Sequence, residues 1–198
     1  LVDFKAGQIA EAKKTLYNVL DLVNYKKMRM FVHGDNQLPP VSEAEDSSQI
    51  QLYLRFGASP TNYYEYGQDI YAGWNTKSNN VEIDFDALSA VKSNEKNLVS
   101  TDVYYEKLND KPGGYYKSVG NPSLKTIRFF IVGIRHLGES PRRDSRDFTG
   151  EIWLDELRVS EVRKEKATAL RISTGLRLAD VLSFNAQWES KDADFHNI

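Results

Sequence analysis

The chain has 198 residues, enough for one sizeable all-β domain with its own hydrophobic core. Hydrophobic residues make up 40% and charged residues 27% of the sequence, which excludes disorder throughout, and the formal net charge of -2 argues against a nucleic-acid partner, which would need a basic surface. The lack of cysteine excludes disulfide frameworks, thiolate zinc sites and cysteine nucleophiles.

The start of the sequence leads us to expect that the chain is a segment of a larger protein. It begins at Leu1 without a methionine and carries no charged-then-apolar leader. No apolar run approaches the roughly 20 residues that a membrane helix needs. We therefore expect the membrane side and the location of the domain to be set by the full protein.

The amino-terminal part predicts an irregular stretch followed by strands. Phe4 to Lys14 are compatible with a brief helix or an irregular lead-in, because Gly7 interrupts a short apolar period. Leu16 to Leu20 and Lys26 to His33 are rich in strand-forming residues. In the second of these runs, every second residue is apolar and would face the core: Met28, Met30 and Val32.

A polar loop and a strand pair follow. Gly34 to Gln49 contains two prolines and four acidic residues without an apolar period, which predicts a surface loop. Ser59 to Asn62 supply turn residues between two runs of strand formers, so the sequence predicts a pair of strands around this turn. The apolar face of the first strand would consist of Ile50, Leu52, Leu54 and Phe56.

The central part predicts the only helix and a further hairpin. The string "VEIDFDAL" (81–88) alternates as a strand and then offers Asp86 as the N-cap of a short helix. The inner face of that helix would consist of Phe85, Leu88 and Val91. Residues 101–119 predict a hairpin, because two tyrosine pairs flank the turn-rich string "NDKPGG".

Two long runs, "LKTIRFFIVGIRH" and "FTGEIWLDELRVS", suit central strands of a packed sheet. The pattern shows no alternation of strands with helices, so a parallel sheet is not expected. The sequence therefore predicts an all-β fold. Residues 1–165 would form a jelly-roll-like β-sandwich with one short helix.

The tail, residues 166–198, predicts a β-hairpin of its own. Apolar and polar residues alternate over two strands of nearly ten residues, joined by a turn at Ala179 and Asp180. A hairpin of a membrane β-barrel needs this pattern, with Arg171, Arg177 and Glu189 facing the lumen. An ordinary amphipathic hairpin that covers the soluble core has the same pattern, so periodicity does not distinguish the two.

The order of several strings resembles a known family. These strings are "YNVLDLVNYKKMRMFVHG", "LYLRFGASPTNYYEY", "GNPSLKTIRFFIVGIR", "GEIWLDELRVSE" and "ATALRISTGLRLADVLSFNAQWESKDAD". Together they cover nearly the whole chain and resemble the repeated sandwich domain of the SprA/Sov family, the outer-membrane translocon of the type 9 secretion system. The third and fourth strings carry most of the resemblance, since they combine a turn, two strands and their spacing in the family's order.

The resemblance implies a structural or interaction domain rather than an enzyme. Its partners would be secreted cargo proteins and accessory translocon subunits, and the full protein would attach it to the outer membrane of the bacterial cell envelope, on the periplasmic or the cell-surface face. The full protein would take part in protein secretion and gliding motility. Residues 1–165 would then be an extramembrane domain, and the tail would be a piece of barrel wall. The family implies no catalytic residue and no cofactor.

Metal sites and catalytic motifs receive little support from the residues. His33, His136 and His196 lie far apart, and the first two end strands, where a solvent-facing residue is expected. Calcium could be held by Glu82, Asp84 and Asp86, which share one strand parity, or near Asp155 and Glu156. The alternative is a solvated acidic face. No serine-elbow, zinc-protease or phosphate-loop motif supports a hydrolase, including one that cleaves polysaccharides.

A cluster of aromatic residues is the candidate binding surface. It consists of Tyr63, Tyr64, Tyr66, Tyr71 and Trp74. Exposed rings could stack on sugars or bind an extended peptide, and a carbohydrate-binding module of jelly-roll type is the alternative function. In the alternative interpretation of the same residues, alternate rings fill the sandwich core.

Overall fold

A computed structural model describes residues 2–40, 48–138, 147–163, 169–178 and 182–191. The chain divides into two compact units, Leu1–Val162 and Arg163–Ile198. The fold is mostly β, with 60% strand and one short α-helix, and its sheets are antiparallel. The all-β prediction is therefore confirmed, while the jelly-roll order of strands stays a prediction.

The first unit contains twelve of the described strands. They are β1 (Val2–Phe4), β2 (Ile9–Leu20), β3 (Tyr25–Gly34), β4 (Ile50–Ser59), β5 (Asn62–Asp69), β6 (Val81–Asp84), β7 (Leu98–Ser100), β8 (Val103–Lys107), β9 (Tyr115–Val119), β10 (Ile127–His136), β11 (Phe148–Gly150) and β12 (Ile152–Val162). The helix α1 (Phe85–Ala90) follows β6, and two 3-10 turns, Val91–Ser93 and Glu95–Asn97, lead to β7.

Two sheets share the core of this unit. The larger has seven strands in the order β2-β10-β4-β5-β9-β8-β7, and the smaller has the order β12-β3-β6. A third, two-stranded sheet pairs β1 with β11. Both large sheets and α1 contribute to one cluster of buried apolar side chains, including Met30, Val32, Leu54, Phe56, Tyr66, Ile83 and Phe85. Burial of this cluster is the main stabilising contribution to the unit.

The alternation of apolar and polar residues correctly predicted which side chains of the core strands are buried. Met28, Met30 and Val32 of β3 are buried, and so are Ile50, Leu52, Leu54 and Phe56 of β4. The strand pair β4–β5 and the hairpin β8–β9 are both present. The inner face of α1 also follows the prediction, since Phe85, Leu88 and Val91 are fully buried.

The amino-terminal prediction was wrong. The stretch from Phe4 to Lys14 contains the end of β1 and the first half of β2 rather than a helix or an irregular lead-in. β2 pairs with β10 through most of its length, from Ile9 opposite Arg135 to Leu20 opposite Ile127. This pairing with a distant strand outweighs the weak local preference for a helix.

The capping residue of α1 was also predicted wrongly. The N-cap is Asp84, whose Oδ1 accepts the backbone N–H groups of Asp86 and Ala87, each at 2.9 Å. Asp84 has the extended backbone that an N-cap requires, whereas Asp86 already lies in the first turn. An acid within the first turn still interacts favourably with the positive end of the helix.

The position of β12 differs from the prediction too. β10 is central in the large sheet, between β2 and β4, but β12 is an edge strand that pairs only with β3 among the described strands. Its apolar residues are correspondingly exposed: Trp153, Leu154, Leu157 and Val162. An apolar run therefore did not indicate a central strand here.

The predicted loop from Gly34 to Gln49 lies partly outside the described residues, which leave out 41–47. Residues 35–40 do not form a strand or a helix, and Leu38 within them is buried in the core. Leu38 therefore anchors the described part of this segment in the core, while Asn36, Gln37 and Pro40 are exposed. None of the described helices is both long and apolar enough to cross a membrane.

The second unit contains one hairpin. β13 (Ala169–Leu178) pairs with β14 (Leu182–Lys191) in a regular antiparallel register, with Arg171 opposite Glu189. Both of these side chains are exposed, and so is Trp188. The two predicted strands are present, whereas the predicted turn at 179–180 and the side-chain orientation of Arg177 lie outside the described part.

Candidate binding surfaces

Tyrosine rings lie over glycines on the outer face of the seven-stranded sheet. Tyr115 on β9 is opposite Gly67, and Tyr53 on β4 is opposite Gly133. A Cβ added to Gly67 would lie 2.2 Å from Cε1 of Tyr115, and one added to Gly133 would lie 2.1 Å from Cζ of Tyr53. Only glycine lets the two rings lie this close to the backbone.

A buried carboxylate sits beside these rings. Glu65 Oε2 accepts Arg55 Nε at 2.8 Å and Arg55 Nη2 at 2.7 Å, so two guanidinium N–H groups converge on one carboxylate oxygen in charge-assisted contacts. Glu65 Oε1 accepts the Tyr115 hydroxyl at 2.6 Å and Arg135 Nη2 at 3.2 Å. The Glu65 side chain is 2% exposed, so these partners replace nearly all of its hydration.

The network keeps Glu65 ionised. Burial alone would raise the pKa of Glu65, but the hydrogen bonds from Tyr115 and Arg55, together with the charge of Arg55, lower it below the ordinary glutamate value. Burial raises the pKa of Tyr115, with a further rise from the neighbouring charge of Glu65. Tyr115 therefore acts as a hydrogen-bond donor and Glu65 as an anion at neutral pH.

The two arginines also stack on the rings. The guanidinium of Arg55 lies 5.3 Å from the ring centre of Tyr53 and 4.7 Å from that of Tyr63. Arg135 lies 4.5 Å from the ring centre of Tyr53 and 5.8 Å from that of Tyr115. These are cation–π distances. We call the set of Tyr53, Arg55, Tyr63, Glu65, Tyr115 and Arg135 the arginine–tyrosine layer.

An open depression of about 680 Å³ adjoins this layer. Its charged wall carries Lys107, Lys117 and Arg135, and Tyr105 stacks on Tyr115 with ring centres 5.1 Å apart. Val99, Val103 and Leu137 supply apolar surface. We call it the basic depression.

A second surface lies at the edge of the three-stranded sheet. His33 stacks on Trp153 with ring centres 4.9 Å apart, and Trp74 lies 5.1 Å from His33 and 6.5 Å from Trp153. The two indoles are 51% and 52% exposed. The indole N–H of Trp153 donates to Glu151 at 2.9 Å. We call His33, Trp74 and Trp153 the tryptophan cluster.

The structure separates the five aromatic residues that the sequence grouped together. Tyr64 is buried and donates to the Pro122 carbonyl at 2.9 Å, and Tyr66 and Tyr71 are buried as well. Tyr63 lies on the opposite face of the sheet, against Arg55, while Trp74 belongs to the tryptophan cluster. The five rings thus form no common exposed platform, and binding by Tyr63 or Trp74 stays a prediction.

The acidic residues proposed for calcium also occupy separate places. Asp84 caps α1, and Glu82 binds Lys27 at 2.8 Å and Arg29 at 2.9 Å. The hydrogen bond from Lys27 lowers the pKa of Glu82. Asp155 and Glu156 lie on β12, on the other side of β3 from Asp84.

Within the described ranges, no group of three or more His, Asp or Glu side chains could hold a metal ion. A calcium site stays a prediction. The expectation that His136 faces solvent was wrong, because its side chain is buried and its Nδ1 accepts the Gly138 N–H at 3.1 Å. His196 lies outside the described residues.

Sequence reasoning missed most of the arginine–tyrosine layer. Tyr53 and Arg55 alternate with the core residues Leu52 and Leu54, so the outward parity of β4 was visible. The partners were not visible, since Arg135 lies 70 residues along the chain from Glu65. The one available signal was a glycine within a strand, which often marks a place where a ring approaches the backbone.

The chain matches the family model SprA_N, described as "Motility related/secretion protein", over residues 2–198. No curated protein matches it.

Proposed function

Because the chain belongs to the SprA_N family of motility-related and secretion proteins, we propose that it is a structural and interaction domain of an outer-membrane translocon for type 9 secretion and gliding motility. The family match over nearly the whole chain carries this proposal. The proposed partners are secreted cargo proteins and accessory translocon subunits. The proposed location is the bacterial cell envelope, at the outer membrane.

The open edge of the small sheet supports an interaction role. β12 presents eleven residues along one free edge, with Trp153, Leu154, Leu157 and Val162 exposed. Four charged residues and a register shift interrupt this strand and protect its edge from pairing with another strand, but the exposed apolar side chains still offer a surface to a partner. A larger assembly would supply the cover that this edge lacks in the described part of the chain.

The charged groups support a role without turnover. The carboxylate of Glu65 is held by two arginines and a tyrosine, and that of Glu82 by Lys27 and Arg29. Low pKa values favour permanent ionisation of both glutamates, whereas a general acid needs a raised one. Both groups therefore have the properties of structural ion pairs.

We assign the tail hairpin to the same assembly. β13 and β14 each have ten residues, a length that lets a tilted strand cross a bilayer. The apolar and polar alternation of these strands supports the proposal that they are membrane-crossing strands of the full protein.

Site-specific photo-crosslinking in living cells tests the interaction role. A photoreactive residue in place of Leu157, on the free edge, is expected to crosslink to cargo or to a translocon subunit. The same residue in place of Lys125, an exposed position in the turn before β10, is the control. Equal crosslinking at both positions, or none at Leu157, would contradict the proposal.

The tryptophan cluster favours a second candidate, carbohydrate binding. Two half-exposed indoles that meet at 61° could stack on sugar rings, and Glu151 lies within hydrogen-bond distance of one indole. Binding on a glycan array that is lost in Trp74→Ala and Trp153→Ala would support it. Trp188→Ala, which removes a similarly exposed indole from the second unit, is the matched control.

A further inference from the structure

We propose that the basic depression binds an acidic peptide segment of a protein partner. This inference rests on the proposed function, since it assumes that the domain binds proteins. It adds the location of one binding site and the chemical class of the bound segment. The depression lies on the outer face of the seven-stranded sheet, whereas the free edge β12 belongs to the smaller sheet. The two surfaces are therefore separate features of the first unit.

Six strands, β4, β5 and β7 to β10, and the loop at 113–114 line the depression. Lys107 comes from β8, Lys117 from β9 and Arg135 from β10. Gln51 and Gly113 line the floor, where Gln51 Nε2 donates to the Gly113 carbonyl at 3.2 Å. The site is thus positioned by paired strands, which hold its charged groups at fixed spacings.

The charge of the depression is unbalanced. Glu65 is its only lining carboxylate, and both oxygens of Glu65 are already engaged by Arg55, Arg135 and Tyr115. Lys107 and Lys117 form no ion pair with any described residue.

A second carboxylate, that of Asp69, is fully buried below the floor and bonded to Gln51 at 3.2 Å. Arg55 also pairs with Glu11 at 3.8 Å, so counting Arg55, Arg135, Lys107 and Lys117 against Glu11, Glu65 and Asp69 leaves one net positive charge. An anionic ligand would neutralise this excess.

Apolar surface beside the lysines favours a peptide over an isolated anion. Val99 is 62% exposed and Tyr105 is 39% exposed, and both line the depression. An inorganic anion would contact the lysines and leave these side chains in water. A peptide that alternates acidic and apolar residues would use both kinds of wall, because successive side chains of an extended segment point to opposite sides.

Fluorescence anisotropy with the full 198-residue chain tests the proposal. The probe is a short labelled peptide in which aspartates alternate with phenylalanines, and the comparison peptide carries asparagine in place of each aspartate. We expect the acidic peptide alone to bind, with an affinity that falls as salt is added. Lys107→Ala combined with Lys117→Ala should weaken binding at least about tenfold, and Lys125→Ala, at the opposite end of β10, should leave it unchanged.

Several outcomes would overturn the inference. These are equal binding of the two peptides, no binding of the acidic one, or binding that survives the double lysine variant with its fold intact by circular dichroism. Inorganic phosphate that binds the depression when the acidic peptide does not would also overturn it, since the ligand would then be a free anion. Crosslinking at Leu157 is independent of these results, so failure here is distinguishable from failure of the proposed function.

Discussion

The ring of Tyr115 lies directly over Gly67 on the neighbouring strand, where an added Cβ would come within 2.2 Å of the ring. From this position the Tyr115 hydroxyl reaches Glu65, two residues before Gly67, at 2.6 Å. The missing side chain of the glycine thus makes room for a donor to a buried carboxylate. The hydrogen bond to Glu65 therefore depends on the close packing of the Tyr115 ring against Gly67.

The variant Gly67→Ala should destabilise the domain. The methyl group would displace the Tyr115 ring and lengthen its hydrogen bond to Glu65, at a cost of about 1–3 kcal/mol in the free energy of unfolding. Urea denaturation measures this change. In a Tyr115→Ala background the same glycine substitution should cost much less, because the obstructing ring is gone. Equal costs in both backgrounds would show that the contact is unimportant.

The variant Glu65→Gln should also destabilise the domain, because among the described residues it leaves Arg135 without a counter-charge and Arg55 with only Glu11, at 3.8 Å. Breaking a buried ion pair costs about 3–5 kcal/mol, and since both arginines are about a quarter exposed we expect about 2 kcal/mol. Urea denaturation at neutral pH measures the loss. Glu82→Gln should change stability much less, because Glu82 is 45% exposed and its partners Lys27 and Arg29 keep Glu161 as a counter-charge.

The lowered pKa of Glu65 should make the stability of the domain depend on pH. The pKa of Glu65 is lower in the folded state than in the unfolded chain, so its contribution to stability is present above the unfolded value, about 4.3, and is lost as the pH falls through the folded value. Wild-type protein should therefore lose more stability between neutral pH and about pH 3 than Glu65→Gln does. Identical slopes for the two proteins would contradict the assignment.

The cap of α1 supplies another test. Asp84→Ala removes the acceptor of two backbone N–H groups and should cost about 1 kcal/mol in thermal or urea unfolding. Asp86→Ala leaves the capping acceptor of Asp84 in place and should cost less. A larger effect at Asp86 would restore the capping assignment made from the sequence.

Local pattern was sufficient for most strands and for much of the core. Apolar residues on one parity of β3 and β4 predicted which side chains are buried, since a strand alternates faces residue by residue. The same reasoning failed for Phe4 to Lys14, where strand formation comes from pairing with β10. A central or an edge position, as for β12, is likewise decided by other strands and not by local composition.

The candidate site was less predictable than the fold. Glu65, Arg55 and Arg135 lie on three different strands, and their convergence follows from sheet order and register. Neither is encoded in a short window of sequence. The clustered aromatic residues were misleading for the opposite reason, because Tyr63 and Tyr64 are neighbours on β5 and point to opposite faces, and Tyr71 and Trp74 lie beyond the end of that strand.

The division of the chain predicts the result of truncation. A chain that ends after Arg163 keeps the pairing of Val162 with Tyr25 and should unfold within about 3 °C of the full chain, as one cooperative transition in calorimetry. It should also be more soluble, because the exposed hairpin with Trp188 is removed. Loss of the cooperative transition would show that the tail belongs to the core.

Protein secretion by cells that carry an edge variant tests the central claim most directly. Leu157→Lys in the full protein places a charge on the free edge of β12, and Lys125→Glu is the control at another exposed position. We predict that Leu157→Lys lowers the amount of type 9 cargo in the medium at least about tenfold, with normal amounts of the full protein in the envelope and an unchanged melting temperature of the domain. Wild-type secretion by Leu157→Lys, together with an unchanged set of copurifying subunits, would contradict the account.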